Sequence, residues 1–400
     1  MVRRGPLIAV TTLLCAGAAA GAPLPAQAAP AAPAACSSPP ASGQVYVADP
    51  WPQQRYAMER VGALADGLGV LVAVVDSGVD PAHPQLATAV TEGRDFLDSG
   101  DGRIDCHGHG TAVASLIAAR PAEDTPFRGL APAATILPVR ISEQQIIEGR
   151  NTGRPGTAEG FAAAIRWAAD AGADVMNLSV VFYRDEPAVR DAIAYAVESD
   201  VVVVAAVGNL HASGDPVPYP AAYPGVLGVG AIGPDGLRVA DSQTGPYVDL
   251  AAPGSQVIAA APRYGHAVNQ GTSFAAAFVT ATAALVRQYH PHLDAGQVAR
   301  RIVATADPAA GGPRSAGYGA GVVNPYRALS GTLAGYPALS GQPLPVAAPD
   351  PAAAVAARRA AAARSRGLWL AGSGAAVTAL VVVAALALPH AARRRWRPAG

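Results

Sequence analysis

Lysine is absent from this 400-residue chain: all 29 basic residues are arginine, and 29 acidic residues balance them to a formal net charge of zero. Charged residues make up only 14% of the chain and aromatic residues only 6%. With no net basic charge and no basic stretch interleaved with aromatics, a nucleic-acid surface has nothing to be built from. The missing lysine points to a GC-rich genome rather than to any chemistry. Cysteine is nearly absent, at three residues. No third ligand accompanies the few Cys and His residues at zinc-type spacing, so metal is set aside and no cofactor is expected. No internal repeat and no Gly-x-Ser-x-Gly elbow are present, which removes a hydrolase built around that turn. What the chain has in quantity is apolar material, 51% hydrophobic residues, enough for one large core or two ordinary ones.

The two ends read as membrane addresses. Met1-Val2-Arg3-Arg4 is a basic start, Leu7 to Ala20 is apolar, and Ala26-Gln27-Ala28 fits a small-x-small cleavage site. Together they predict a secretory signal peptide over residues 1–28. Leu368 to Leu388 carries no charge and is long enough to cross a bilayer, and Arg393, Arg394, Arg395 and Arg397 follow it. The prediction is one C-terminal transmembrane helix over 367–388, a cytoplasmic Arg-rich tail over 389–400 and an extracytoplasmic domain. An Ala/Pro-rich stretch, 331–366, reads as a linker, and 29–68 as an N-terminal extension.

Between these ends, 69–330 alternates short β-branched runs with Ala-rich helical segments. Gly69–Val75, Thr135–Val139, Asp174–Val181, Val201–Val207, Val226–Ile232 and Val248–Leu250 read as strands. Gly110–Ala119, Thr157–Ala171 and Ser273–Tyr289 read as helices. That alternation predicts an α/β fold with a largely parallel sheet and helices on both faces. Chemistry in such sheets gathers at the carboxyl ends of the strands.

Three segments carry groups suited to one reaction. Asp76 ends an apolar strand in Val74-Val75-Asp76-Ser77-Gly78. His109 opens a helix in His107-Gly108-His109-Gly110-Thr111. Ser273 opens another in Gly271-Thr272-Ser273-Phe274. Each has a plain structural reading: Asp76 can cap a turn, His107 competes with His109, and Ser273 can be a helix cap. Taken together, an acid, an imidazole and a hydroxyl are what a serine nucleophile needs. The acid fixes the tautomer, the imidazole takes the proton, and the helix N-terminus faces the developing negative charge. Asn209, in Val207-Gly208-Asn209, could supply a side-chain amide to an oxyanion.

These blocks, in the order Asp, His, Ser, resemble the three catalytic blocks of the subtilisin-like serine protease family, over about Val45 to Ser330. The Gly-Thr after His109 matches the family histidine, and Asn209 matches its oxyanion asparagine. A narrower resemblance is to the mycosins, membrane-anchored subtilases of actinobacterial type VII secretion systems. It rests on the Trp51-Pro52-Gln53-Gln54-Arg55 segment, Asp105-Cys106, Ile136-Leu137-Pro138-Val139-Arg140, the Tyr219-to-Val226 stretch, Ala251-Ala252-Pro253-Gly254 and the two terminal segments. The resemblance implies a subtilisin-like three-layer fold. It implies an endopeptidase acting on protein or peptide substrates beside type VII secretion membrane components, or a structural subunit of that complex with slow or dispensable proteolysis. It also implies a cleft wall at Asn177-Leu178-Ser179-Val180-Val181, with Ser179 contacting substrate. Two departures stand out: Ala277 replaces a frequent proline four residues after the serine, and Asn177-Leu178-Ser179-Val180-Val181 replaces a Ser-Leu-Gly type segment of the family, with Val180 and Val181 in place of glycine.

Removing a signal peptide would leave Cys36 and Cys106, an even pair in an oxidising compartment, and the expectation is a disulfide. It would close a loop of about 70 residues and contribute about 4 kcal/mol in the chain-entropy treatment.

Overall fold

The computed structural model describes Cys36 and residues 41–333, apart from 144, 148–149 and 313. The expected signal peptide, linker, transmembrane helix and Arg-rich tail lie outside these residues. Among the described residues no helix is long and apolar enough to cross a membrane.

In chain order the elements are α1 (Trp51–Tyr56), α2 (Met58–Gly62), β1 (Leu71–Asp76), β2 (Arg94–Asp95), α3 (His109–Ala118), β3 (Thr135–Arg140), β4 (Gln145–Ile147) and β5 (Arg150–Thr152). They continue with α4 (Ala158–Asp170), β6 (Val175–Leu178), α5 (Pro187–Glu198), β7 (Val202–Ala206), β8 (Val226–Ile232) and β9 (Leu250–Pro253). The last are β10 (Val257–Ala260), β11 (His266–Asn269), α6 (Thr272–Tyr289), α7 (Ala295–Ala304) and α8 (Pro325–Ser330). Seven strands form one sheet in the order β2-β3-β1-β6-β7-β8-β9, and every pair in it is parallel.

The strand period sorts the core into two layers. Val72, Val74, Val202, Val204 and Ala206 face the layer that holds α3 and α6. Ala73, Val75, Val203 and Ala205 face the opposite layer, where Phe161 and Ile165 of α4 and Val189 and Ile193 of α5 pack. The arrangement is helices, sheet, helices. Helix α6 is buried along its length from Thr272 to Val286, which small residues such as Ala275, Ala276 and Ala277 permit by letting backbones approach closely. Thr280 donates to Asn177 Oδ1 at 2.9 Å and ties this helix to β6.

Three elements differ in extent from their sequence reading. β6 stops at Leu178 rather than Val181, because Ser179 and Val180 leave the sheet to line a cleft. β1 begins at Leu71 because Gly67 and Gly69 take positive φ and form the turn before it. The strand expected at Val248–Leu250 runs instead over Leu250–Pro253. Helices α5 and α7 and the β10–β11 hairpin lacked a sequence reading. Part of the N-terminal extension is built into the same core: Tyr56, Met58 and Val61 of α1 and α2 are buried there.

Candidate active site

Asp76 is the last residue of β1, at the carboxyl edge of a central strand, and it is 3% exposed. His109 is the first residue of α3, preceded by Gly108 in left-handed conformation at φ 84°. That turn brings the imidazole over the strand end, where His109 Nδ1 and Asp76 Oδ1 are 2.7 Å apart. Burial pushes the Asp76 carboxyl up, but the charge and hydrogen bond of His109, the Ser77 N–H and the Ser179 hydroxyl outweigh it and leave it below the usual range. Burial likewise pushes His109 down, while the charge and hydrogen bond of Asp76, joined by the charge of Asp105, carry it above the ordinary value. The pair therefore favours carboxylate and imidazolium together, with Nδ1 held by the acid and Nε2 left to work.

Of the two histidines, the structure pairs His109 with Asp76; His107 lines the same cleft. The close approach of α3 to β1 depends on Gly110, since a Cβ there would collide with the Gly78 carbonyl oxygen and come within 3.1 Å of Asp76 Cβ.

Ser273 is the second residue of α6 and is 8% exposed. Its hydroxyl has no hydrogen-bond partner among the described residues. The structure brings its segment to the imidazole through its neighbour Phe274, whose ring centroid lies 5.2 Å from that of His109. Nucleophile–base hydrogen bonds commonly close only in the substrate complex. The N-cap, Gly271, has φ 144°, a conformation that suits glycine.

Asn209 follows β7 and is tied to the serine segment. Its Oδ1 accepts the Thr272 N–H at 3.0 Å, while Gly208 N donates to Thr272 Oγ1 at 3.1 Å. With Oδ1 engaged, Nδ2 is the atom left to donate, and it lies close to Gly271. An amide held this way beside a helix N-terminus can bind an oxyanion.

Ser179 accepts from Asn177 Nδ2 at 3.0 Å and lines the cleft beside Val180. It also acts on the buried carboxylate: Asp76 Oδ2 is buried without a hydrogen bond of standard geometry, and the Ser179 hydroxyl is among the groups lowering its pKa. The cleft has a volume of about 600 Å³, and Asp76, His109, Ser179, Asn269 and Phe274 line it. Ala41 of the N-terminal extension reaches its wall.

Cys36 and Cys106 form a disulfide, with Cα atoms 5.3 Å apart. The extension is thereby fastened three residues before His109. Further along, Gln44 bridges to His266 of β11.

Asp105 escaped the sequence reading as a site residue. It is 5% exposed and gathers donors from both sides of His109. An acid four residues before the histidine, followed by Gly and Thr, is the pattern of a side chain folding back on its own backbone. Among the described residues no cluster of His, Cys, Asp or Glu is arranged to hold a metal.

A parallel α/β sandwich with a carboxylate–imidazole pair at a strand end and a serine at the start of a buried helix is an arrangement that serine peptidases use. Residues 67–321 match the Subtilase family, and the chain belongs to that family: it is a subtilisin-like serine protease of the mycosin type. Mycosin-1 of Mycobacterium tuberculosis is 36% identical over 346 residues, spanning 74% of this chain and 76% of that protein. The crystal structure of MycP1 from Mycobacterium smegmatis superposes with a TM-score of 0.64 at 30% identity, covering 74% of this chain and 90% of that one. The MycP3 protease from the type VII (ESX-3) secretion system superposes with a TM-score of 0.63 at 34% identity, covering 77% of this chain and all of that one.

Proposed function

We propose that this chain is an active, extracytoplasmic serine endopeptidase, held at the cell membrane by one C-terminal helix and working beside the components of a type VII secretion system. Ser273 attacks the peptide carbonyl and His109 takes its proton. Asp76 holds the imidazole and stabilises the imidazolium. The Asn209 amide and the N–H groups at the start of α6 receive the oxyanion. His109 then returns the proton to the leaving amine, and water hydrolyses the acyl-enzyme by the same route. Ser179 and Val180 form one wall for the substrate. The observation that carries this reading is the 2.7 Å contact between His109 Nδ1 and the buried Asp76 carboxylate at the strand end.

The membrane assignment rests on the uncharged run Leu368 to Leu388 and the arginines after it. Assignment to type VII secretion rests on the mycosin relatives and on the named secretion system of the MycP3 structure. A structural role within the same membrane complex is compatible with this chemistry.

A serine-directed fluorophosphonate tests the enzyme. It should label the wild-type domain on Ser273, as mapped by mass spectrometry, and leave a folded Ser273→Ala variant unlabelled; equal labelling of both refutes the assignment. For the anchor, deletion of 367–400 should release a soluble, probe-reactive domain. A truncated chain that stays in the membrane fraction contradicts it.

A further inference from the structure

Resting on the peptidase reading, we infer that Asp105 is a positioning residue: its buried carboxylate locks the segment carrying Asp76 to the segment carrying His109. It touches neither the imidazole nor any reacting atom. Its Oδ1 accepts from Ser77 Oγ at 2.9 Å, His107 N at 3.0 Å and Gly108 N at 2.7 Å. Its Oδ2 accepts from Thr111 N at 2.9 Å and Thr111 Oγ1 at 2.6 Å. Four of these donors come from the residues around His109, and the fifth comes from the residue next to Asp76.

Ser77 makes the link. While its hydroxyl donates to Asp105, the same oxygen accepts from Gly110 N at 3.0 Å. A closed circuit results: Asp76 is bonded to Ser77, Ser77 is hydrogen-bonded to Gly110, Gly110 is bonded to His109, and His109 is hydrogen-bonded to Asp76. Asp105 fixes the rotamer of Ser77 and so the length of that circuit. A misplacement on the order of 1 Å in such a pair can cost about a hundredfold in rate.

Three backbone N–H groups and two hydroxyls surround the carboxylate, an arrangement matched to its ionised form. Burial is the larger influence and holds its pKa above the ordinary carboxylate value, while the hydrogen bonds from Thr111, Gly108 and His107 pull the other way and favour the charge. Asp76 and Asp105 are the charged groups that act on His109, and Phe274 of α6 packs against its ring. Asp105 therefore has two effects, one on geometry and one on the proton affinity of the imidazole.

The test reads both. His109 is titrated by NMR in the Ser273→Ala background, and kcat, KM and the pH profile of kcat/KM are measured in the active background, each with and without Asp105→Asn. Asp105→Asn should lower the His109 pKa by about half a unit or more and move the acid limb of kcat/KM the same way. It should reduce kcat about tenfold to a hundredfold with little change in KM. A folded variant with an unmoved imidazole pKa and wild-type kcat overturns the inference. If Asp105→Asn does not fold, Ser77→Ala decides, because it breaks the bridge and keeps the charge. It should lower kcat about tenfold and move the His109 pKa less than Asp105→Asn does, and wild-type kcat overturns the inference. The NMR arm is read on inactive protein, so failure of the peptidase assignment would show in the Ser273→Ala comparison and leave the Asp105 result standing.

Discussion

Acidification should release the N-terminal extension from β11, and the cause is His266. The ring is 8% exposed, and both nitrogens are engaged in its neutral form. Nδ1 accepts the Tyr46 N–H at 3.1 Å, which leaves Nε2–H to donate to Gln85 Oε1 at 2.9 Å. A proton added at Nδ1 would face another N–H. Burial, with the neighbouring His83 adding to it, depresses His266 to about 4, against the opposing pull of Asp124 and the Gln44 carbonyl. A histidine depressed in the folded state contributes stability that is fully present above its ordinary value of 6.5. That stability is lost as pH falls from there toward about 4. At pH 5 the loss is at most about 2 kcal/mol, a drop in protection of up to about thirtyfold. Hydrogen exchange at the Tyr46 amide, corrected for intrinsic rates, measures it between pH 7 and pH 5. His266→Gln keeps an acceptor and cannot titrate, so its protection should be flat over that range. Equal protection of the wild type at both pH values, or an equal fall in the variant, refutes the reasoning. The Cys36–Cys106 bond should keep the loosened segment attached throughout.

Further outcomes follow from other contacts. Asn209→Asp keeps the oxygen that accepts from Thr272 but loses the amide donor, so kcat should fall about a hundredfold to a thousandfold with KM little changed; steady-state kinetics showing more than half of wild-type kcat would remove Asn209 from the oxyanion site. Replacing Cys36 and Cys106 together by serine opens a closure spanning 70 residues. It should lower stability in denaturant by about 4 kcal/mol at most, and an unchanged unfolding midpoint contradicts that. Gly110→Ala forces a methyl group into the Gly78 carbonyl and should separate His109 from Asp76, cutting kcat about a hundredfold; wild-type kcat in a folded variant would show that α3 and β1 can move apart freely.

Much of this architecture is legible in the sequence, for physical reasons. Asp76 and Asn209 follow continuous apolar runs that can only be buried strands, so the carboxyl edge was marked by sequence. The buried helix α6 announced itself as an alanine-rich run starting at a glycine. Helices α5 and α7 were less visible. Their apolar positions, such as Val189 and Ile193, are few and interspersed with charges, and tertiary packing decides them. The short edge strand β2 and the hairpin at His266 depend on contacts with distant segments, which no local pattern encodes. Asp105 escaped for the same reason. Its donors are local, but its link to Ser77 spans 28 residues and exists only once β1 and α3 are packed. The end of β6 at Leu178 reflects a competition that the sequence run conceals, since Ser179 and Val180 line the cleft rather than continue the sheet.

The central claim is that the Asp76–His109 pair activates Ser273, and acylation rate measures it most directly. The rate of fluorophosphonate adduct formation on Ser273 should be followed from pH 5 to pH 9 in the wild type, His109→Ala and His107→Ala. The wild-type rate should rise through a single ionisation lying above the ordinary histidine value, as the Asp76 carboxylate requires. His109→Ala should lose several orders of magnitude, and His107→Ala should keep a rate close to wild type with the same pH dependence. A His109→Ala variant that acylates as fast as the wild type, or a collapse seen only in His107→Ala, would contradict the account.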